Sequence, residues 1–205
     1  EMTSSLVGSE MCIRDSGEAV WISGVVKGGK IRYLSRSIEM EDNTMNETLK
    51  VLETRRSCRN FDKERMVSEE DIQAVVKAGT YAATGMGRQS PIIIAVTNKE
   101  LRDRLSAENA KIMGTATDPF YGAPVILIVL ADKDIPTYQY DGSLVMGNLM
   151  NAAESLGLGS IWIHRAKEEF ESDFGKKILA DLGIEGIEIE DNVPVSYTHL
   201  RAHET

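Results

Sequence analysis

The chain has 205 residues, 42% hydrophobic and 27% charged, the composition of an ordinary globular domain with room for one real core. Its formal net charge of −9 argues against nucleic acid or an anionic membrane as a partner. Cys12 and Cys58 are its only cysteines, and they make neither a disulfide framework nor a metal-ligand cluster. No apolar run approaches a membrane span. The start lacks the long apolar stretch and cleavage site of a signal peptide, so a cytoplasmic, reducing compartment is the default expectation.

The two ends stand apart from the rest. Met11-Cys12-Ile13-Arg14-Asp15-Ser16 can be encoded by ATG TGT ATA AGA GAC AG. The reverse complement of that oligonucleotide encodes Val195-Ser196-Tyr197-Thr198-His199. One sequence read on opposite strands accounts for both peptides, and both resemble translated sequencing adapters. Residues 1–16 and 192–205 are therefore expected to be non-native tails. Residues 17–44 show no sustained period and are expected to be translated upstream sequence, although Ala19-Val20-Trp21-Ile22 has the character of a short strand or helix. Residues 45–191 remain as the folding body, with Met45 or Met40 as its natural start.

That body opens with a helix from Met45 to Thr54, which delivers Arg55-Arg56-Ser57-Cys58-Arg59-Asn60-Phe61. Guanidinium groups from Arg55, Arg56 and Arg59 and the Ser57 hydroxyl fall close together. Each Arg fork can donate two parallel hydrogen bonds to the oxygens of a phosphate. In helical conformation Arg55 and Arg59 would share a face. The competing reading is a basic helix end that complements the C-terminal dipole. Cys58 lies among cations that would lower its thiol pKa, yet a single Cys is usually packing. Phe61 is the expected anchor of this stretch in the core.

Ser68 is placed to cap a helix whose first turn carries Glu69, Glu70 and Asp71, with Ile72, Val75, Val76 and Gly79 at helical spacing. The loop Thr84-Gly85-Met86-Gly87-Arg88-Gln89 follows, and its two glycines let backbone amides approach a ligand. The spacing does not suit a dinucleotide fold, because no strand precedes it and no third glycine opens a helix. Ile92 to Thr97 and Val125 to Leu130 read as buried strands. Between them, Asn98 caps a helix reaching about Asn109 or Ile112.

Asp141 to Leu156 reads as a helix apolar on most sides, with Leu144, Val145, Leu149, Ala152, Ala153 and Leu156 in its main stripe. Such a helix belongs in a core or an interface. Gly157-Leu158-Gly159 stops it and turns into a third strand, Ser160 to Ile163. His164 is read as a surface or capping residue rather than a catalyst. Lys167 to Leu182 reads as one amphipathic helix, and Ile184 to Ile189 as the start of a strand.

Three stretches, in this order, resemble the nitroreductase family: Arg55-Arg56-Ser57-x-Arg59-x-Phe61, Ala83 to Pro91, and Asp141 to Ile163. The resemblance implies an α+β fold, a central mostly buried sheet with helices on both faces. It implies an FMN-dependent oxidoreductase that consumes NAD(P)H and passes electrons by a ping-pong cycle to nitroaromatic, quinone or activated-alkene acceptors. It also implies a homodimer with flavin at the subunit interface. Carried over by motif, Arg55, Arg56, Ser57 and Arg59 would meet the FMN phosphate. Thr84, Gly85, Gly87, Arg88 and Gln89, together with Gly157, Leu158 and Gly159, would surround the ring and ribityl chain. Asn109 is the candidate for the flavin pyrimidine. The family pattern commonly has Ser and Asn where Gly85 and Gly87 stand, so two side-chain contacts would pass to backbone amides.

No Ser-His-Asp set, metal cluster or carboxylate pair stands out, which suits an enzyme whose cofactor carries the hydride chemistry. Family members continue with a further strand and a C-terminal extension. Its loss is expected to leave an open sheet edge or an unfilled groove. Two alternatives follow: a flavin- or nucleotide-binding module without turnover, and a truncated remnant that binds flavin weakly or not at all.

Overall fold

The computed structural model describes residues 9–13, 19–23, 46–62, 64–184, 196–199 and 201–202. The chain divides into two units, Glu1–Glu47 and Thr48–Thr205. In the first, β1 (Ser9–Ile13) pairs antiparallel with β2 (Ala19–Ser23), with Met11 opposite Trp21. The apolar piece at Ala19 is therefore a strand.

The chain then runs through α1 (Glu47–Thr54), α2 (Glu69–Thr80), a short 3-10 turn (Gly85–Gly87), β3 (Ile92–Val96), α3 (Lys99–Met113) and β4 (Ile126–Leu130). It continues with α4 (Tyr138–Ser155), β5 (Leu158–Gly159), β6 (Trp162–Ile163), α5 (Ala166–Glu171), α6 (Asp173–Asp181), β7 (Ser196–His199) and β8 (Arg201–Ala202). The central sheet has the order β3-β4-β7-β6. β3 and β4 are antiparallel, with Ile92 opposite Leu130 and Val96 opposite Ile126. Every residue of β4 is buried, as its unbroken apolar run requires.

Helices cover both faces, so the expected α+β architecture is the observed one. On one face Val96, Ile126, Ile128 and Leu130 pack with Leu105 of α3, Phe170 of α5 and Ile178 of α6. On the other, Leu127 and Val129 pack with Val75 of α2 and with Val145, Met146, Leu149 and Ala153 of α4. Successive β4 side chains alternate between these cores because the pleat has a period of two. Phe61 is buried in the first core and anchors the Arg stretch as expected. Gly79 lets α2 close on its neighbours: a Cβ there would lie 2.6 Å from Leu149 Cδ2 and 2.7 Å from Ile93 Cδ1.

Several boundaries differ from the sequence reading. Ser68 and Asn98 do cap their helices, accepting from Asp71 N–H at 3.1 Å and Leu101 N–H at 2.9 Å. α4, however, begins at Tyr138, and Leu144 is 50% exposed. Leu144 lies about 100° around the helix from Val145, which turns it away from the core. The single helix predicted over Lys167 to Leu182 is two. Ser172 adopts an extended backbone and caps α6 by accepting from Gly175 N–H at 3.2 Å. The predicted third strand breaks at Ser160-Ile161, with β5 and β6 in different sheets.

The expected open groove is filled. β7, which lies in a segment set aside as a tail, runs antiparallel between β4 and β6, with His199 opposite Ile126 and Thr198 opposite Trp162. The inner edges of β4 and β6 carry amide and carbonyl groups that need partners, and the Tyr and Thr of β7 favour extended backbone. Most of the strand expected from Ile184 to Ile189 lies outside the described residues.

Candidate functional site

The Arg stretch leaves α1 as Arg55 N–H donates to Val51 O at 3.0 Å. Thr54 Oγ1 donates to Glu154 Oε1 at 3.0 Å, linking the end of α1 to the end of α4. Ser57 forms a parallel β-bridge with Ser160, and Cys58 N–H donates to Ser160 O at 2.9 Å. Residues about a hundred positions apart are thereby joined. The first predicted motif is seated on the turn that ends the third.

The four candidates in this stretch do not behave alike. Arg56 Nη1 donates to Glu53 O at 2.5 Å and Arg55 O at 2.9 Å, which is the helix-end role of the competing reading. Arg59 is exposed. Arg55 is half-buried, and its Nη1 is shut off from solvent without a hydrogen-bond partner. A buried guanidinium N–H left unmatched is costly, and an anion is its natural complement. Ser160 Oγ is a second orphan, on a residue 1% exposed. Sequence reasoning took Ser160 for a plain strand residue. The available signal was a small polar residue directly after a glycine stop, inside an apolar run. Cys58 is occupied, its thiol donating to Asn60 O at 3.3 Å while it packs against the core.

Gly157 has φ +71 and donates to Glu154 O at 2.9 Å, the helix stop expected of it. Leu158 and Gly159 are buried in β5, which pairs with β8, Gly159 opposite Arg201. The Leu158 side chain belongs to the core shared by α2 and α4. Any contact of Leu158 with a ligand would therefore come from its backbone.

The loop Thr84–Gln89 is built from unusual backbone. Met86, Gly87 and Gln89 have φ of 55°, 64° and 51°. Gln89 N–H donates to Thr84 Oγ1 at 3.0 Å, and Gly87 N–H to Thr84 O at 3.0 Å. Gly85 N–H donates to Asp141 Oδ1 at 2.8 Å. A Cβ on Gly85 would collide with Thr137 Oγ1 and stand 2.8 Å from its Cγ2, so the Ser of the family pattern has no room here. Around Gly87 the space is open. Met86, Arg88 and Gln89 are exposed.

This loop is fastened to the first turn of α4, whereas the Arg stretch and the Gly157 turn sit at its other end. α4 has 18 residues and is about 27 Å long. One copy of the chain thus brings the Arg stretch and the Gly157 turn together and holds the Thr84–Gln89 loop at the far end of α4.

Asn109 is placed elsewhere again. It is fully buried, its Nδ2 donating to Glu169 Oε2 at 3.0 Å and its Oδ1 accepting from Arg165 Nε at 2.9 Å. The amide joins α3 to α5 and is closed to solvent, whereas a contact with the flavin pyrimidine needs an accessible side chain. Asp118 is likewise structural. Burial alone would raise its carboxyl, but Arg102 Nη2 at 2.5 Å, Ser106 Oγ at 2.6 Å and Phe120 N–H at 2.9 Å outweigh that and hold it down at about 2. Among the described residues, no group of three His, Cys, Asp or Glu could hold a metal, and no helix is long and apolar enough to cross a membrane.

Residues 52–188 match the family model described as the nitroreductase family. A provisionally named NADH dehydrogenase/NAD(P)H nitroreductase of Archaeoglobus fulgidus is 32% identical over 124 residues, covering 58% of this chain and 68% of its own. A protein of the same name from Methanothermobacter thermautotrophicus is 28% identical over 125 residues, covering 57% and 60%. Among solved structures, a nitroreductase with bound FMN from Bacteroides fragilis superposes with a TM-score of 0.65 at 25% identity, over 78% of this chain and 90% of that one. A nitroreductase with bound FMN from Desulfitobacterium hafniense gives 0.62 at 29% identity, over 79% and 92%.

Proposed function

Because the chain belongs to the nitroreductase family, we propose that it is an FMN-dependent oxidoreductase that draws electrons from NAD(P)H and works as a homodimer. The observation that carries the flavin assignment is Arg55 Nη1, a buried donor without a partner. A phosphate oxygen satisfies it, with Ser57 and Arg59 completing a cationic, hydroxyl-bearing cradle. Arg56 contributes charge but keeps its hydrogen bonds at the helix end. When bound, FMN supplies the hydride chemistry, in a ping-pong cycle from NAD(P)H to nitroaromatic, quinone or activated-alkene acceptors. No side chain is needed as acid or base for this. The chain's own work is to neutralise the phosphate, to present loop amides to the flavin, and to leave a face open. A cytoplasmic setting, where NAD(P)H is at hand, belongs to the same proposal.

The dimer is supported by the length of α4. A site that draws on the Arg stretch and on the Thr84–Gln89 loop takes them from different copies, since one copy holds them at opposite ends of a helix about 27 Å long. The module without turnover is the second reading. It is favoured by the glycines at positions 85 and 87, which remove two polar side chains from the family pattern. Binding of FMN without NAD(P)H oxidation would select it.

The test is complementation. One chain carries Arg55→Ala and Arg59→Ala, the other Arg88→Ala and Gln89→Ala. Neither homodimer should quench FMN fluorescence. Heterodimers isolated through two different tags have one site with every change and one with none. They should bind about one flavin per dimer. If both parents bind like the original chain, the flavin sites are misassigned. Empty heterodimers would mean that each site is built within one copy.

A further inference from the structure

We infer that Asp141 is the positioning residue of the Thr84–Gln89 loop, acting with Thr137 as a two-point clamp that fixes the loop on the end of α4. The inference rests on the flavin reading above for its consequence, though not for its geometry.

Asp141 is 2% exposed, and each carboxylate oxygen is committed. Oδ1 accepts the Gly85 N–H at 2.8 Å, and Oδ2 accepts the Thr137 hydroxyl at 2.9 Å. Thr137 O in turn accepts the Asp141 N–H at 2.9 Å. The Thr137 side chain fills the space where a Cβ of residue 85 would lie, so the loop is held by a hydrogen bond and a steric stop together. The loop needs such a hold. Met86 and Gln89 are non-glycine residues in the left-handed region, a conformation that L side chains disfavour. Nothing in the loop's own sequence selects it. The bonds internal to the loop, from Gln89 and Gly87 to Thr84, set its curvature but not its place on the molecule. Asp141 is therefore where the position of this half of the flavin site is decided. Its carboxylate is buried beneath the loop, so it acts only through the loop.

The full chain is titrated with FMN and with riboflavin, which lacks the phosphate. Asp141→Ala should weaken both by the same factor, about tenfold. The Gly85 N–H should lose more hydrogen-exchange protection in the flavin-free protein than the core amides of β4 do. Asp141→Asn keeps an oxygen for Gly85 and offers an amide N–H to Thr137 Oγ1, and should hold both affinities within about twofold. Thr137→Val keeps the steric stop and drops one arm. It should fall between the two, and it serves if Asp141→Ala does not fold. Arg55→Ala with Arg59→Ala should weaken FMN alone and spare riboflavin. If that pair leaves FMN unchanged, the flavin reading fails, and Gly85 exchange then decides the clamp by itself. If the Arg pair acts as expected while Asp141→Ala and Thr137→Val bind both flavins normally, the clamp is overturned. Equal losses in Asp141→Asn and Asp141→Ala overturn it too, because geometry would then not be what Asp141 supplies.

Discussion

Gly85 and Gly87 look alike in the sequence and do different jobs. Gly85 is needed for space, because Thr137 fills the volume a side chain would take. Gly87 is needed for backbone freedom, since it has φ +64 with nothing near its missing Cβ. Gly85→Ala should therefore destabilise the protein by about 1–3 kcal/mol through overpacking. Gly87→Ala should cost about 1 kcal/mol, from strain alone. Urea unfolding of the two variants checks the order, and a milder Gly85→Ala would remove the close approach between loop and helix. The arginines divide in a similar way. Arg56 finishes its own helix, and Arg55 holds a buried donor in reserve. Both belong to the same motif, and only the chain's path shows which one is spent on the helix end.

Among the elements, α3 and α5 are joined through Asn109, whose amide bridges Glu169 and Arg165. Asn109→Ala removes a fully buried donor and acceptor and breaks the bonds to Glu169 and Arg165. We expect a loss of about 1–3 kcal/mol in urea unfolding, with FMN affinity unchanged. A fall in FMN affinity without a fall in stability would return Asn109 to the flavin site. The break between α5 and α6 has a local cause. A Cβ on Gly175 would meet Glu169 O and Phe170 Cα, so the first turn of α6 folds directly against the end of α5. A continuous helical period read across Ser172 hides that break, because both helices point apolar residues at the same sheet face.

For the molecule as a whole, Asp118 sets an acid limit. Its carboxyl drops from the ordinary 3.8 to about 2. A carboxyl with a lowered folded pKa stabilises the fold above its unfolded value and loses that contribution as pH falls. The window is therefore from about pH 4 down to about pH 2. A shift of this size corresponds to about 2 kcal/mol, and partial solvent access reduces it to about 1 kcal/mol. Stability measured by urea unfolding should fall across that window, and Asp118→Asn should flatten the fall. Unchanged acid sensitivity in the variant would assign the effect to other carboxyls. Arg102, which grips Asp118, also donates to Ala123 O at 2.9 Å, so this contact holds the loop leading into β4.

The chemistry on offer and most of the elements are legible in the residue order. Apolar runs of β-branched residues fixed β3 and β4, Ser68 and Asn98 fixed two helix starts, and the order of three motifs fixed the family. These signals are local, so each can be read within a window of a few residues. Tertiary structure alone decided which candidates are free to meet a ligand. Ser57 is set by Ser160, Gly85 by Thr137 and Asp141, and Asn109 by Glu169 and Arg165. Each commitment crosses dozens of positions, and a hydrogen bond taken by a distant partner leaves no trace in local sequence. The separation of the Arg stretch from the Thr84–Gln89 loop is of the same kind. It follows from the rigid length of α4 between two loops, which a list of motifs in order does not convey.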